Sequence, residues 1–212
     1  DAKMLEAVMT DPRYIPDYMK IYPCLDVEHT QIREWKRDGT WTPYAETDYD
    51  ALVNVIIDAK ALCPPYIRLN RIQRDFPKED FPKSRIGYAS NTIRPNLRQM
   101  IQDTCKVRGV ACRCIRCREI KKDTYTAVHF DIQSYEASHG KEYFISAVSD
   151  TDRLLGFIRL RFNQSNDDVY FPELMGASII RELHVYGFIS STHHKDKGKT
   201  HVQHSGIGKV LV

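Results

Sequence analysis

Near the end of the chain, Ile179-Ile180-Arg181-Glu182-Leu183-His184-Val185-Tyr186 is followed, after a polar stretch, by Gln203-His204-Ser205-Gly206-Ile207-Gly208-Lys209. A strand, a polar loop and a Gln-x-x-Gly-x-Gly segment that opens a helix form an arrangement suited to a pyrophosphate. Glycines let the backbone approach phosphate oxygens, and the N–H groups of a first helical turn point at them. Gly206, Ile207, Gly208, Lys209 and Val210 are the backbone candidates, and the Ser205 hydroxyl can add a hydrogen bond. Glu182 and His184 are weak candidates for a general base, since each suits a packed strand position equally well. Four histidines (His193, His194, His201 and His204) lie in and around the lysine-rich intervening stretch and read as solvent-exposed residues rather than metal ligands.

A second cluster is Cys112-Arg113-Cys114-Ile115-Arg116-Cys117-Arg118. Three thiols within six residues, ringed by arginines that favour the thiolate form, are poised for a metal, and zinc is the expectation. Zinc takes four ligands, and the fourth is open among Cys24, Cys105, a histidine and water; three free or buried thiols are the alternative reading. Six cysteines in this length, three of them crowded together, suit a reducing, cytoplasmic compartment and a metal better than a disulfide framework.

The formal net charge of +3 conceals a strong segregation. Residues 1–65 hold 7 Lys and Arg against 12 Asp and Glu; residues 66–122 hold 15 against 5; residues 123–212 hold 9 against 11. A net excess of ten positive charges in the middle segment is the electrostatic footprint of a nucleic-acid partner. The candidate phosphate contacts are Arg68, Arg71, Arg74, Arg94, Arg98, Arg108, Arg113, Arg116, Arg118, Lys121 and Lys122, taken as a group, because each by itself reads equally well as a solvated surface residue. No apolar run approaches the roughly 20 residues that span a bilayer, and the first residues lack the pattern of a secretory signal. The chain opens on Asp1 rather than Met and reads as an internal piece of a longer protein.

The elements that must carry these groups follow from periodicity. Ala2 to Met9 reads as a helix, and Asp17 to Val27 as a strand broken by Pro23. Gln31 to Arg37 is a short helix ending at Gly39. Asp48 caps the clearest helix, which stops at Cys63-Pro64-Pro65. Tyr66 to Arg74 alternates as a strand, so that helix, proline loop and strand make one step of a parallel α/β barrel or sheet. Residues 76–95 read as a loop, and Leu97 to Arg108 as a helix closed by Gly109. Beyond residue 123 the chain becomes α+β. Tyr125 to Ile132 is a strand, 143–148 and 154–162 form a hairpin, and Ala177 to Tyr186 is a fourth strand.

Several blocks together resemble the catalytic subunit of the Elongator complex, a tRNA-modifying enzyme. They are Ile21-Tyr22-Pro23, Ala61-Leu62-Cys63-Pro64-Pro65, Arg71-Ile72-Gln73-Arg74-Asp75-Phe76-Pro77, the Cys112–Glu119 stretch, Leu155 to Arg161, Ile180 to Gly187, and Gln203 to Gly208. The resemblance covers nearly the whole chain in the family's order. It implies that residues 1–75 are the C-terminal part of a radical S-adenosylmethionine (TIM-like) barrel and 76–122 a basic, metal-binding linker. Residues 123–212 would be the first part of an acetyltransferase domain of the GNAT type, incomplete at its C-terminus. It also implies that Glu182, Leu183, His184 and Val185 pair with the pantetheine amides of acetyl-CoA. The cysteines holding the family's [4Fe–4S] cluster would lie upstream and the end of the acetyl-CoA site beyond Val212, so this chain alone is expected to be inactive.

The activity the resemblance implies is installation of a carboxymethyl precursor at the wobble uridine of tRNA, using acetyl-CoA and a radical derived from S-adenosylmethionine, with other Elongator subunits as possible partners. Two other readings stand beside it. The same cofactor motif serves a protein-lysine (histone-type) acetyltransferase, and a degenerate acetyltransferase fold could serve as an RNA-binding module.

Overall fold

The computed structural model describes residues 1–24, 26–27, 29–73, 86–87, 97–163, 169–187 and 206–212, and the chain divides into two compact units. One comprises Asp1–Glu6 and Asp17–Arg113, the other Ala7–Pro16 and Cys114–Val212. Among the described residues no helix is long and apolar enough to cross a membrane.

The first unit is built on a parallel pair. Strand β1 (Tyr18–Ile21) lies beside β3 (Arg68–Ile72), and β2 (Asp26–Val27) pairs antiparallel with β4 (Ile86–Gly87). Helices α2 (Gln31–Arg37), α3 (Tyr44–Thr47), α4 (Tyr49–Leu62) and α5 (Leu97–Val107) complete its elements, and α1 (Ala2–Thr10) is divided between the units after Glu6. Asp48 caps α4 as expected, its Oδ1 accepting the Ala51 N–H at 2.9 Å, a contact worth about 1 kcal/mol. The buried face of α4 carries Leu52, Val53, Ile56, Ile57 and Ala59, and Pro64 and Pro65 then deny it another turn. Strand β3 is shorter than its alternation suggests. Gln73 turns into the left-handed region (φ 67°) while its N–H still reaches the Ile21 carbonyl, which ends the ladder at Ile72. The loop expected over 76–95 lies outside the described residues except at β4.

The second unit is a four-stranded antiparallel sheet in the order β5-β6-β7-β8. The strands are β5 (Val128–Ala137), β6 (Gly140–Ser149), β7 (Leu154–Asn163) and β8 (Ser178–Val185). Two short helices flank it in sequence, α6 (Ile115–Arg118) and α7 (Ile207–Leu211). The β6–β7 hairpin falls where the sequence places it. Strand β5 runs five residues further than expected and turns at Ser138-His139, both with positive φ, in a two-residue hairpin of the primed kind. Phe144, Phe157, Leu154, Leu155, Ile115 and Ile120 are fully buried and form the apolar core.

Charge is buried alongside them. Glu142 on β6 is 1% exposed and accepts from Arg161 on β7 (3.0 Å) and from two nitrogens of Arg181 on β8 (2.9 and 3.0 Å). Removing one member of a buried pair strands the others, so Glu142→Ala should lower unfolding free energy by about 3 kcal/mol in urea titration. Glu142→Gln, which keeps an acceptor oxygen, should lose less; equal stability for all three proteins would show that the network contributes nothing.

Candidate functional site

Strand β8 is an edge strand of the sheet, and its register decides where the candidate cofactor residues face. Leu160 pairs with Ile180 and Arg159 with Glu182, which leaves Arg181 as the extra residue of a bulge. Residues directly opposite share a face. Glu182 therefore lies with Arg159, and His184 with Phe157, whereas Leu183 and Val185 lie with Ile158 and Gly156 on the other side.

Helix α7 covers the side that carries Val185. A Cβ placed on Gly208 would meet Val185 Cγ2 at 3.5 Å, and Leu211 reaches the position a Gly156 Cβ would take. Gly206 enters the helix in the left-handed conformation (φ 93°), which a side chain would strain. The first helical hydrogen bonds run from Lys209 and Val210 to the Gly206 carbonyl, so Ile207 and Gly208 occupy the turn whose N–H groups have no intrahelical acceptor. Lys209 and Val210 are exposed. Ser205, Gln203 and the histidines His193, His194, His201 and His204 lie outside the described residues.

On the opposite face, Glu182 accepts from Arg159 Nε at 2.9 Å. Arg159 is 1% exposed, sits 5.3 Å from the ring centres of both Phe144 and Phe157, and also donates to the Tyr135 hydroxyl. The shown role of Glu182 is thus to pair a buried cation. His184 stacks against Phe157 (6.1 Å, 19°) and lies 4.3 Å from the Tyr186 ring, an exposed residue held by ring contacts.

The three cysteines converge. Their sulfurs lie within 4.8 Å of one another, Cys114 fully buried and Cys112 and Cys117 half-buried, and none is in a disulfide. A tetrahedral zinc thiolate with bonds near 2.3 Å places sulfurs about 3.8 Å apart, so a small contraction accommodates the ion. Among the described residues this group holds the three cysteines alone, without Cys24 or Cys105. Cys24 instead lines a cavity of about 340 Å³ in the first unit, with Trp41, Pro43, Tyr44 and Leu52; burial raises the Tyr44 hydroxyl above its usual pKa.

The basic candidates are distributed between the two units. Arg68 and Arg71 lie on β3, Arg98 on α5, and Arg108 and Arg113 after it; Arg116, Arg118, Lys121 and Lys122 belong to the second unit. Arg71, Arg108, Arg113, Lys121 and Lys122 are exposed, while Arg68, Arg98 and Arg116 are partly buried. Arg118 is used by the fold instead: it is 4% exposed and pairs with Asp152 at 3.2 Å. Arg74 and Arg94 lie outside the described residues. Sequence reasoning assigned no role to Arg159, Glu142 or Gly156. The signal for Gly156 was available, since a glycine inside an apolar strand marks a close backbone approach.

The parallel pair with its helices and the following antiparallel sheet define a mixed α/β chain, and the family model for the radical SAM C-terminal domain matches residues 16–106. Over its full length the chain is 35% identical to a tRNA uridine(34) acetyltransferase of Dehalococcoides mccartyi, spanning 45% of that protein. It is 31% identical to Elongator complex protein 3 of Homo sapiens, spanning 38% of it. The solved structure of archaeal Methanocaldococcus infernus Elp3 with an N-terminus deletion superimposes with a TM-score of 0.74 at 31% identity, over 99% of this chain and 48% of that one. Throughout its length the chain is homologous to a stretch of these proteins, and it spans less than half the length of each.

The glycines separate packing from cofactor approach. A Cβ at Gly156 would lie 2.8 Å from the His184 carbonyl oxygen, so Gly156→Ala must push β8 away from β7 and should cost roughly 1–3 kcal/mol. Gly208→Ala meets only ordinary contact and should leave stability unchanged or slightly raised. Urea unfolding of the two variants checks the contrast; equal midpoints would refute it.

Proposed function

We propose that this chain is part of an acyltransferase that modifies the wobble uridine of tRNA, installing a carboxymethyl-type group with acetyl-CoA and a radical derived from S-adenosylmethionine. The observation that carries the reading is the edge strand β8 leading to a glycine-opened helix that packs on its own sheet, in a chain homologous throughout to tRNA uridine(34) acetyltransferases. We assign residues 1–75 to the end of the radical SAM barrel, 76–122 to a basic linker, and 123–212 to the first part of a GNAT-type domain. The [4Fe–4S] cluster and S-adenosylmethionine belong to parts of the longer protein outside this chain.

Glu182, Leu183, His184 and Val185 present the backbone edge along which pantetheine amides would lie. Gly206, Ile207, Gly208, Lys209 and Val210, with Ser205, would hold the pyrophosphate. Acetyl-CoA supplies the acyl group when bound. Cys112, Cys114 and Cys117 would hold zinc in a structural role, which suits free thiols in a reducing, cytoplasmic setting. The arginine and lysine group supplies sequence-independent affinity for the tRNA backbone, drawn from its exposed members. Other Elongator subunits are proposed partners where they exist. The protein-lysine acetyltransferase reading is not favoured, since the relatives are named for tRNA uridine or Elongator.

The test is acetyl-CoA hydrolysis by the full-length protein with and without tRNA. The expected result is stimulation by tRNA that weakens steeply with added salt, and loss of that turnover in Gly208→Ala with the fold intact. Turnover indifferent to tRNA would overturn the reading and return the lysine acetyltransferase alternative.

A further inference from the structure

The β6–β7 turn grips the segment that follows the cysteines at almost every residue. Asp150 accepts from the Thr126 hydroxyl (2.7 Å) and N–H (3.2 Å), bonds that hold its carboxyl below the usual carboxylate range. Asp152 pairs with the buried Arg118. Arg153 donates from Nη1 to the carbonyl of Cys117 at 3.2 Å and from Nε to Asp123 at 2.8 Å. The Leu154 carbonyl accepts the Ile120 N–H at 3.1 Å.

The turn is itself fixed from within. Ser149 is fully buried, and its hydroxyl oxygen accepts the N–H groups of Thr151 (3.2 Å) and Arg153 (3.0 Å). Asp152 takes the left-handed conformation (φ 59°) that such a tight turn requires. The partner, α6, is a single turn. The N–H groups of Cys117 and Arg118 both go to the Cys114 carbonyl, and the carbonyl of Cys117 belongs to the C-terminal end of the turn. Arg153 donates to it as a cation, the charge preferred at a helix C-terminus.

We propose that Arg153 is a positioning residue of the cysteine metal centre, braced by Asp123 and capping the Cys117 carbonyl so that the Cys114 and Cys117 thiolates are held for the ion. The inference rests on the zinc reading above but adds a residue that is not a ligand. Groups that orient metal ligands from outside the coordination shell typically set affinity by about 10- to 100-fold.

The experiment uses the full-length protein. Zinc affinity is read by competition with a chromogenic chelator, and the thiolate-to-metal absorption of the cobalt(II)-loaded protein is recorded alongside. Arg153→Ala should weaken zinc binding by about 10-fold or more and perturb the cobalt band, with Arg153→Lys restoring part of both. Arg13→Ala, in an exposed pair of the same unit, should change neither. Unchanged zinc affinity in a folded Arg153→Ala protein overturns the proposal. If that variant does not fold, Asp123→Asn decides it: a several-fold loss supports the brace, and wild-type affinity overturns it. A wild-type protein that binds no stoichiometric zinc fails differently, by removing the metal reading itself.

Discussion

Two buried charges, Arg159 and Glu142, anchor a network of three arginines and two glutamates across the second unit's sheet, and the placement of β8 depends on it. Arg159 and Glu142 are each 1% exposed, a burial that is costly unless charge and hydrogen bonds are matched. They are matched across strands: Glu142 binds Arg161 on β7 and Arg181 on β8, and Arg159 on β7 binds Glu182 on β8. Each pair therefore ties a central strand to the edge strand or to its neighbour. The bulge at Arg181 is the point where the two pairings meet. Without it, Glu142 and Arg159 could not both find partners on one face, and a slip of one residue would carry every β8 side chain to the opposite face. Electrostatics here fixes register, which apolar contacts alone specify less sharply.

That register gives the edge strand its division of labour. One face carries Glu182, His184 and Tyr186 against Phe157 and Phe144; the other carries Val185 against α7. The side chains first suspected of base chemistry are thus on the face away from the glycine-opened helix, where one is ion-paired and the other ring-stacked. What β8 offers toward α7 is small and apolar, and what it offers along its edge is backbone. A cofactor held by backbone amides needs a rigid strand more than reactive side chains, and buried charge pairs supply that rigidity.

Much of this was legible in the sequence, for reasons that differ by element. Asp48 as a cap, the proline stop after α4, Gly109 after α5 and the β6–β7 hairpin are local signals, and local signals survive folding. The convergence of Cys112, Cys114 and Cys117 is likewise short-range, since six residues leave few conformations that separate three thiols widely. The Ser138-His139 turn escaped because neither residue is the glycine or asparagine that usually marks positive φ. The bulge at Arg181 escaped because nothing in Arg181-Glu182 announces it; it exists to satisfy Glu142, 39 residues earlier in the chain. Arg118 shows the same limit. In the sequence it is one more arginine in a basic run, and only the fold reveals an inward side chain with Asp152 as partner.

The arginine-rich stretch around the cysteines therefore mixes buried and exposed cations that composition cannot separate. Arg118 and, from the hairpin, Arg153 spend their charge inside the second unit, one on Asp152 and the other on Asp123 and a carbonyl of the thiol-bearing turn. Arg113, Lys121 and Lys122 are exposed. On the proposed reading, the outward group raises affinity for any tRNA backbone alike, because phosphate contacts carry no sequence information. Choice of one uridine must then come from the reacting parts of the enzyme, and the basic segment's contribution is to hold RNA long enough for that choice. A rigid cysteine turn anchored to the sheet suits such a segment, since backbone contacts spread over many residues are effective only when those residues keep fixed spacing.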